Sequence, residues 1–145
     1  MTSKNLTRFL TPDLSLKVGS KTYVVKPPSR ESGKIMVAIN VAGVAAFASV
    51  TEACPSCGRS GPLEMDESMR ALVEANSERD LGELSLGDTY QEMLADGIDG
   101  PTLEKLEMYA FYYWTLGEAA ADQIFEETVA APKARKRSKS GRSTE

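Results

Sequence analysis

The stretch that follows Asp99-Gly100-Pro101 constrains the fold most, because it carries the longest regular hydrophobic pattern in the chain. Its apolar and small residues recur at steps of three and four: Leu103, Leu106, Ala110, Tyr113, Gly117, Ala120 and Ile124. That spacing places them on one face of an α-helix. A proline in the first turn after Asp99 is a typical helix start. The pattern predicts a helix that continues past Gly117.

A second pattern, near the N-terminus, indicates β structure. Residues 14–18 alternate between apolar and polar, Gly19-Ser20 is a turn sequence, and residues 22–25 are rich in β-formers. Proline cannot extend a strand ladder, so Pro27-Pro28 ends the second strand. The sequence therefore predicts a β-hairpin over residues 14–25. Before it, one short helical turn within residues 1–13 is expected to tuck Phe9 into the core.

The segment after the hairpin has the character of a buried helix. Ser29 is a good N-cap, and Ile35 and Ile39 begin an apolar series at helical spacing that reaches Phe47. Gly43 lies inside this series, and we expect it to permit a close helix contact. Two shorter helices are predicted further along, one capped by Asp66 and one that begins at Ser85.

These elements define a mainly α protein of α+β type. With 145 residues the chain has room for one modest core. We expect a single domain over residues 1–131, in which the hairpin precedes a bundle of four to five helices. Residues 132–145 contain six Lys or Arg and no apolar face, which predicts a disordered basic tail.

The absence of histidine argues against catalysis. Histidine is the commonest general base near neutral pH and the commonest metal ligand, and this chain has none. Triads and histidine-based metal sites are therefore excluded, and carboxylate or lysine mechanisms need a desolvated pocket that a small domain rarely holds. We expect no enzyme activity and no cofactor. The sequence also lacks an apolar run long enough for a membrane span. Because no apolar region follows Lys4 near the N-terminus, we expect no secretory signal peptide.

Cys54 and Cys57 form a CxxC motif in a stretch rich in glycine and proline. Two thiolates at this spacing can supply half of a tetrahedral zinc site, but the chain has no further cysteine or histidine for the other half. Three interpretations stay open: a plain loop with reduced thiols, a metal ion shared between two chains, or a redox or disulfide role. The first is the simplest.

The run from Tyr109 to Trp114 contains five aromatic side chains, which is more than one helix face can hold. Acidic neighbours such as Glu104 and Glu107 disfavour a base-stacking platform, because such platforms need cations along the phosphate backbone. A core helix is the plainer interpretation. A second is that some tyrosines face a partner protein, since tyrosine is enriched at interfaces.

Charge is distributed unevenly along the chain. Residues 1–50 carry seven Lys or Arg and two acids, whereas residues 51–132 carry four and 18. The basic residues from 133 onward can bind phosphates in a salt-dependent way, pair with the acidic body, or only aid solubility.

Four segments together resemble a known family. They are FLTPDL at 9–14, GSKTYVVKPP at 19–28, LGDTYQEMLADG at 86–97 and YAFYYWTLG at 109–117. In this order the chain is similar, over about residues 6–128, to the tail assembly chaperones of long-tailed (siphovirus-type) phages that infect actinobacteria. The CxxC stretch and the basic tail have no counterpart in the family pattern.

The resemblance implies a protein of the host cytoplasm that is absent from the mature virion. Such chaperones keep the tape-measure protein soluble until the tail tube assembles around it. An extended form, made by programmed frameshifting, is thought to recruit the tail-tube protein. Self-association into a homo-oligomer is a further option. We expect no membrane partner and no nucleic-acid partner. A small nucleic-acid-associated regulator that uses the basic tail and a minor virion structural protein are the alternatives.

Under this hypothesis the helical surface binds the partner. The residues expected to do so belong to two helices. They are aromatic side chains of the helix that follows Pro101 and apolar side chains that face them from the helix after the hairpin: Tyr109, Tyr112, Tyr113, Trp114, Ile35, Ile39 and Phe47.

Overall fold

The computed structural model describes residues 3–50, Ser56 and residues 65–130, without the side chains of Phe9 and of residues 48–50 and 129–130. Two strands are followed by helices: β1 (Leu14–Val18), β2 (Lys21–Val25), α1 (Arg30–Val50), α2 (Glu67–Ala75), α3 (Leu81–Leu86), α4 (Asp88–Ala95), α5 (Gly100–Leu116) and α6 (Glu118–Ala130). The predicted fold class, a hairpin before a helical bundle, is confirmed. Within the described residues the bundle has six α-helices, where four to five were expected.

The N-terminal hairpin forms where the sequence predicts it. Strands β1 and β2 pair antiparallel from Leu14 opposite Val25 to Val18 opposite Lys21. Gly19 begins the two-residue turn with φ +62°, a conformation that glycine adopts without steric cost. A 3-10 turn precedes the hairpin at Thr7–Phe9. The predicted core position of the Phe9 side chain lies outside the described residues.

A polar cluster ties the hairpin to the end of α4. Lys21 Nζ lies 2.5 Å from Asp96 Oδ2 and 3.0 Å from Glu92 Oε1, and the Tyr23 hydroxyl donates to the same Asp96 oxygen at 2.6 Å. These hydrogen bonds, from Lys21 first and then Tyr23, hold the pKa of Asp96 below its usual value. The cluster holds the tip of the hairpin against the end of α4. The apolar face of the hairpin packs into the core.

Helix α1 begins as predicted, with the Ser29 hydroxyl accepting from the Ser32 N–H at 3.1 Å. One side of it is buried through Ile35, Met36 and Ala38. The close helix contact expected at Gly43 is absent from the described part of the chain: a Cβ built there would meet nothing within 4 Å.

The helix predicted to begin at Ser85 is wrong in its start. Asp80 is the N-cap, since its side chain accepts from the Gly82 N–H at 2.8 Å, and Ser85 lies inside α3, where its hydroxyl donates to the Leu81 carbonyl. Gly87 then separates α3 from α4. Ser85 matched the sequence pattern for a cap because serine serves both purposes: a cap at a helix start, or a donor to the preceding turn inside a helix.

The long C-terminal pattern is divided between two helices. Gly117 has φ +94° and ends α5, and α6 begins at the next residue. A residue with a side chain rarely adopts that backbone conformation. Helix α6 then packs against α5, and its Ala121 is buried.

Two core clusters lie on either side of α5. One joins the hairpin to α4 and α5 and is built from Leu14, Leu16, Tyr23, Val25, Leu86, Met93, Leu103 and Ala110. The other joins α1, α3 and α5 through Ile35, Met36, Leu84 and Phe111. Trp114 packs against both. Helix α5 is therefore the central element, with α1, α3 and α6 in contact with it.

Replacing Gly82 with alanine should destabilise the protein. A Cβ at this position would lie 2.4 Å from Cε2 of Tyr90, whose ring is held by a hydrogen bond from its hydroxyl to Asp80. Overpacking of this kind costs about 2 kcal/mol. Urea denaturation of Gly82→Ala should show a lower midpoint than that of the wild type.

The matched control is Gly100→Ala, because a Cβ at this helical glycine meets nothing within 4 Å. Its midpoint should stay at or above the wild-type value. Equal midpoints for both variants would contradict the close contact between Gly82 and Tyr90.

Candidate interaction surface

The aromatic side chains of α5 contact different neighbours within the chain. The Tyr109 hydroxyl donates to Asp122 of α6 at 2.5 Å, and its ring meets Phe125 edge-on at 5.8 Å between centroids. Phe111 packs in the cluster with α1, and Trp114 Nε1 donates to the Ser85 carbonyl of α3 at 2.9 Å. Because α5 is covered by several elements, aromatic side chains on several faces find partners inside the monomer.

This arrangement changes the expectation for the aromatic run. Tyr109, Tyr112, Tyr113 and Trp114 are all half-buried, and each packs against one of the core clusters. Five aromatic side chains exceed one helix face, but α5 is central and is packed on several faces. A role for these four residues in binding a partner stays a prediction.

The residues expected to face the aromatic helix lie in three environments. Ile35 is buried and Ile39 half-buried, and both pack in the cluster that contains Phe111 and Tyr112. Helices α1 and α5 are in direct contact at these residues, so no groove lies between them. Phe47, two turns further along α1, is 70% exposed. Of the facing residues, Phe47 is the one that the fold leaves available at the surface.

The outward face of α1 is apolar. Val37 is 41%, Val44 52% and Phe47 70% exposed, and Val41 between them is half-buried. Helical spacing of three and four residues aligns Val37, Val41 and Val44 on one side of the helix. A helix that is apolar on all sides is normally buried all round. An exposed apolar face of this kind is a candidate interaction site.

Val37 and Val44 did not emerge from the sequence pattern, although a signal for them exists. From Ile35 to Val50 the chain has sixteen consecutive residues without a charge. The spacing of Ile35 and Ile39 indicates the side of this stretch that is packed inside the protein. The missing charges on the opposite side are the feature that identifies the exposed face.

Helix α2 lies beside the first half of α1 and forms a groove with it. The groove has a volume of about 570 Å³ and is lined by Gly33, Lys34, Val37, Ser68, Met69 and Leu72. Helix α2 has no buried residue; its apolar face, with Met69, Leu72 and Val73, is only half-buried. Asp66 caps it as predicted, and the hydrogen bonds from Ser68 lower the pKa of that carboxyl. Because none of its residues is buried, α2 is expected to move easily, and this wall of the groove can adjust to an occupant.

A second cavity, of about 560 Å³, lies between β2, the start of α1 and the α3–α4 junction. Its lining is mixed and includes Lys26, Glu83 and Asp88. Thr89 donates its hydroxyl to the Val24 carbonyl of β2 at 2.8 Å. The mixed lining makes this cavity a less suitable site for an apolar partner.

A metal ion held by the CxxC motif stays one of the open interpretations. Cys54 and Cys57 lie outside the described residues, and the residues described hold no group of three or more His, Cys, Asp or Glu side chains placed to bind a metal ion. None of the helices in the described part of the chain is long and apolar enough to cross a membrane.

The chain was compared with known proteins. The model of a protein family described as Domain of unknown function (DUF7426) matches residues 4–145. That range includes the hairpin, the helices and the basic C-terminal residues. Neither a curated protein nor a solved structure matches the chain.

Trp114→Phe should lower stability, because it leaves the buried Ser85 carbonyl without its donor and reduces packing against both clusters. The expected loss is about 2 kcal/mol in the free energy of unfolding, measured by urea denaturation. Tyr112→Phe is the control, since the Tyr112 hydroxyl takes part in no hydrogen bond within the described residues. A smaller loss for Trp114→Phe than for the control would contradict the bridging role of Trp114.

Burial of Tyr109, together with its hydrogen bond to Asp122, should make the protein less stable at alkaline pH. Burial first, and then the Asp122 carboxylate, raise the pKa of Tyr109 in the folded chain. Because the unfolded chain ionises this tyrosine near pH 10, folding loses stability as the pH rises beyond that value. The difference in unfolding free energy between wild type and Tyr109→Phe should be constant from pH 7 to about 9 and fall above about 10. An unchanged difference at pH 11 would refute this interpretation.

Proposed function

The chain belongs to the DUF7426 family, and we propose that it is a phage tail assembly chaperone that holds the tape-measure protein through the outward face of α1. The observation that carries this proposal is the uncharged stretch from Ile35 to Val50, in which Val37, Val44 and Phe47 are exposed among the described residues. A protein that keeps a long apolar helix soluble needs such a face.

The groove supports a helical rather than an extended partner. Its walls are two helices, and the apolar side chains Val37, Met69 and Leu72 line it. Amphipathic helices bind by placing apolar side chains into a groove of this kind. Met69 suits such binding, because methionine adapts to differently shaped partners. A holdase that meets many segments of one long protein benefits from this tolerance.

The rest of the proposal follows the sequence resemblance. The chaperone would act in the cytoplasm of the infected host and be absent from the mature virion. A frameshifted, extended form would contact the tail-tube protein. Aromatic residues of α5 would contribute where their half-buried rings reach the surface, and self-association of the chaperone is compatible with the same face.

The negative charge of the helical body argues against nucleic-acid binding there. Residues 65–130 contain sixteen acids and three Lys or Arg. A surface of that sign repels phosphates. A regulator would therefore have to bind through the basic residues from 133 onward. Deleting residues 133–145 separates the two functions, because a chaperone that uses α1 keeps its activity without them.

The test introduces charge into the outward face with Val44→Asp and Phe47→Asp together. Co-expressed with a tape-measure fragment that is insoluble alone, the wild type should keep the fragment in the soluble fraction. The double variant should lose this activity, with at least about a 30-fold weaker affinity from the removal of two apolar contacts. Both residues are exposed, so the thermal midpoint should change little.

Leu94→Asp is the matched control, because Leu94 is 45% exposed and belongs to α4, which has no extensive contact with α1. It should solubilise the fragment as well as the wild type does. Full activity in the double variant would refute the proposal. Loss of activity on deletion of residues 133–145, together with salt-dependent DNA binding by the wild type, would favour the regulator instead.

A further inference from the structure

The hairpin is a two-stranded sheet whose two outer edges differ. Along an antiparallel pair, residues that bond to the neighbouring strand alternate with residues whose N–H and C=O groups point outward. The two-residue turn closes on a bonded pair, so the outward groups belong to Ser15 and Lys17 on β1 and to Thr22 and Val24 on β2. The Val24 carbonyl accepts from the Thr89 hydroxyl of α4, and α4 therefore covers part of the β2 edge.

The outer edge of β1 is open. Among the residues that the structure describes, no hydrogen bond reaches the outward backbone groups of Ser15 and Lys17, and both residues are exposed. An unpaired edge is a template for pairing with another strand. A lysine on such an edge disfavours most strands, so the strand that pairs here has to bring a negative charge to Lys17.

Backbone geometry and charge select a second β1 as that strand. Antiparallel pairing of two copies, centred on Leu16, places Ser15 of each copy opposite Lys17 of the other, and their outward groups form four hydrogen bonds. The apolar residues of both strands then lie on the core face of the sheet. Asp13 precedes β1 by one residue and alternates with Ser15 and Lys17, which puts it diagonal to Lys17 of the other copy. Asp13 is exposed and belongs to no ion pair within the described part of the chain.

We infer that the outer edge of β1 is a homodimer interface, at which two copies join their hairpins into one four-stranded antiparallel sheet. A two-fold arrangement of this kind is self-complementary, because each copy uses the same edge. Since α4 lies against the edge of β2, the sheet ends at two copies. The inference does not rest on the proposed function, and it uses none of the residues on the outward face of α1.

Sedimentation equilibrium of the full chain measures the association. Two strands of five residues bury less area than the roughly 800 Å² per partner of a standard interface. The wild type should therefore form a weak dimer, with a dissociation constant of roughly 100 μM. Amide hydrogen exchange at Ser15 and Lys17 should slow as the protein concentration rises, whereas exchange at Thr22 should not change.

Ser15→Pro removes one outward N–H from each copy and should weaken the dimer by about tenfold or more. Proline is tolerated on an edge strand where its nitrogen faces outward, so the hairpin should still form. Thr22→Pro is the matched control, because it makes the same change on the β2 edge. Its dimer should be as strong as that of the wild type, and thermal unfolding checks that both variants fold.

Charge reversal tests the register of the two strands. Asp13→Lys and Lys17→Asp should each weaken the dimer by about fivefold, because like charges then lie diagonal to each other across the interface. The two changes made together restore opposite charges at these positions. The double variant should therefore associate as the wild type does.

Several results would overturn the inference. A wild type that stays monomeric at about 1 mM has no such interface. Equal weakening by Ser15→Pro and Thr22→Pro would trace the effect to hairpin stability, and charge reversals that do not compensate each other would contradict the pairing. A dimer that Val44→Asp with Phe47→Asp abolishes would place the interface on α1 instead. The solubility of the tape-measure fragment tests the proposed function separately.

Discussion

The fold depends on the position of Trp114 between two core clusters. Its ring packs against the cluster that holds the hairpin and against the cluster that holds α1, and its Nε1 donates to the Ser85 carbonyl near the end of α3. An aromatic side chain with one polar atom suits this place, because the ring fills the space and the N–H satisfies a carbonyl. Helix α5 becomes central through this contact, and the other helices are arranged around it.

A central α5 determines where the free surface lies. The aromatic side chains that look most suited to binding are used to join α1, α3 and α6 to α5. Helix α1, in contrast, is covered on one side and exposes Val37, Val44 and Phe47 on the other. The apolar face available to a partner thus belongs to a helix made of small and β-branched residues. Such a face is shallow, and it suits helical partners that supply the larger side chains.

Much of the architecture could be predicted from the chain because it follows from local rules. The hairpin was identified from its alternation and from Gly19-Ser20, α1 and α2 from the caps Ser29 and Asp66, and the start of α5 from Asp99 and Pro101. Errors arose where one residue type serves two local purposes. Ser85 is an interior donor instead of a cap, and Gly117 ends a helix although its place in the hydrophobic stripe suggested continuation.

The sequence by itself determined the absence of histidine chemistry, the acidic helical body and the order of strands and helices, since these depend on composition and on neighbours along the chain. Only the tertiary structure decided which apolar side chains remain exposed. Ile35 and Phe47 lie in the same apolar stretch, yet the first is buried and the second is 70% exposed. Periodicity defines the faces of a helix, but whether a face is covered depends on helices distant in sequence: α2, α3 and α5 contact α1, and they leave Val37, Val44 and Phe47 exposed among the described residues.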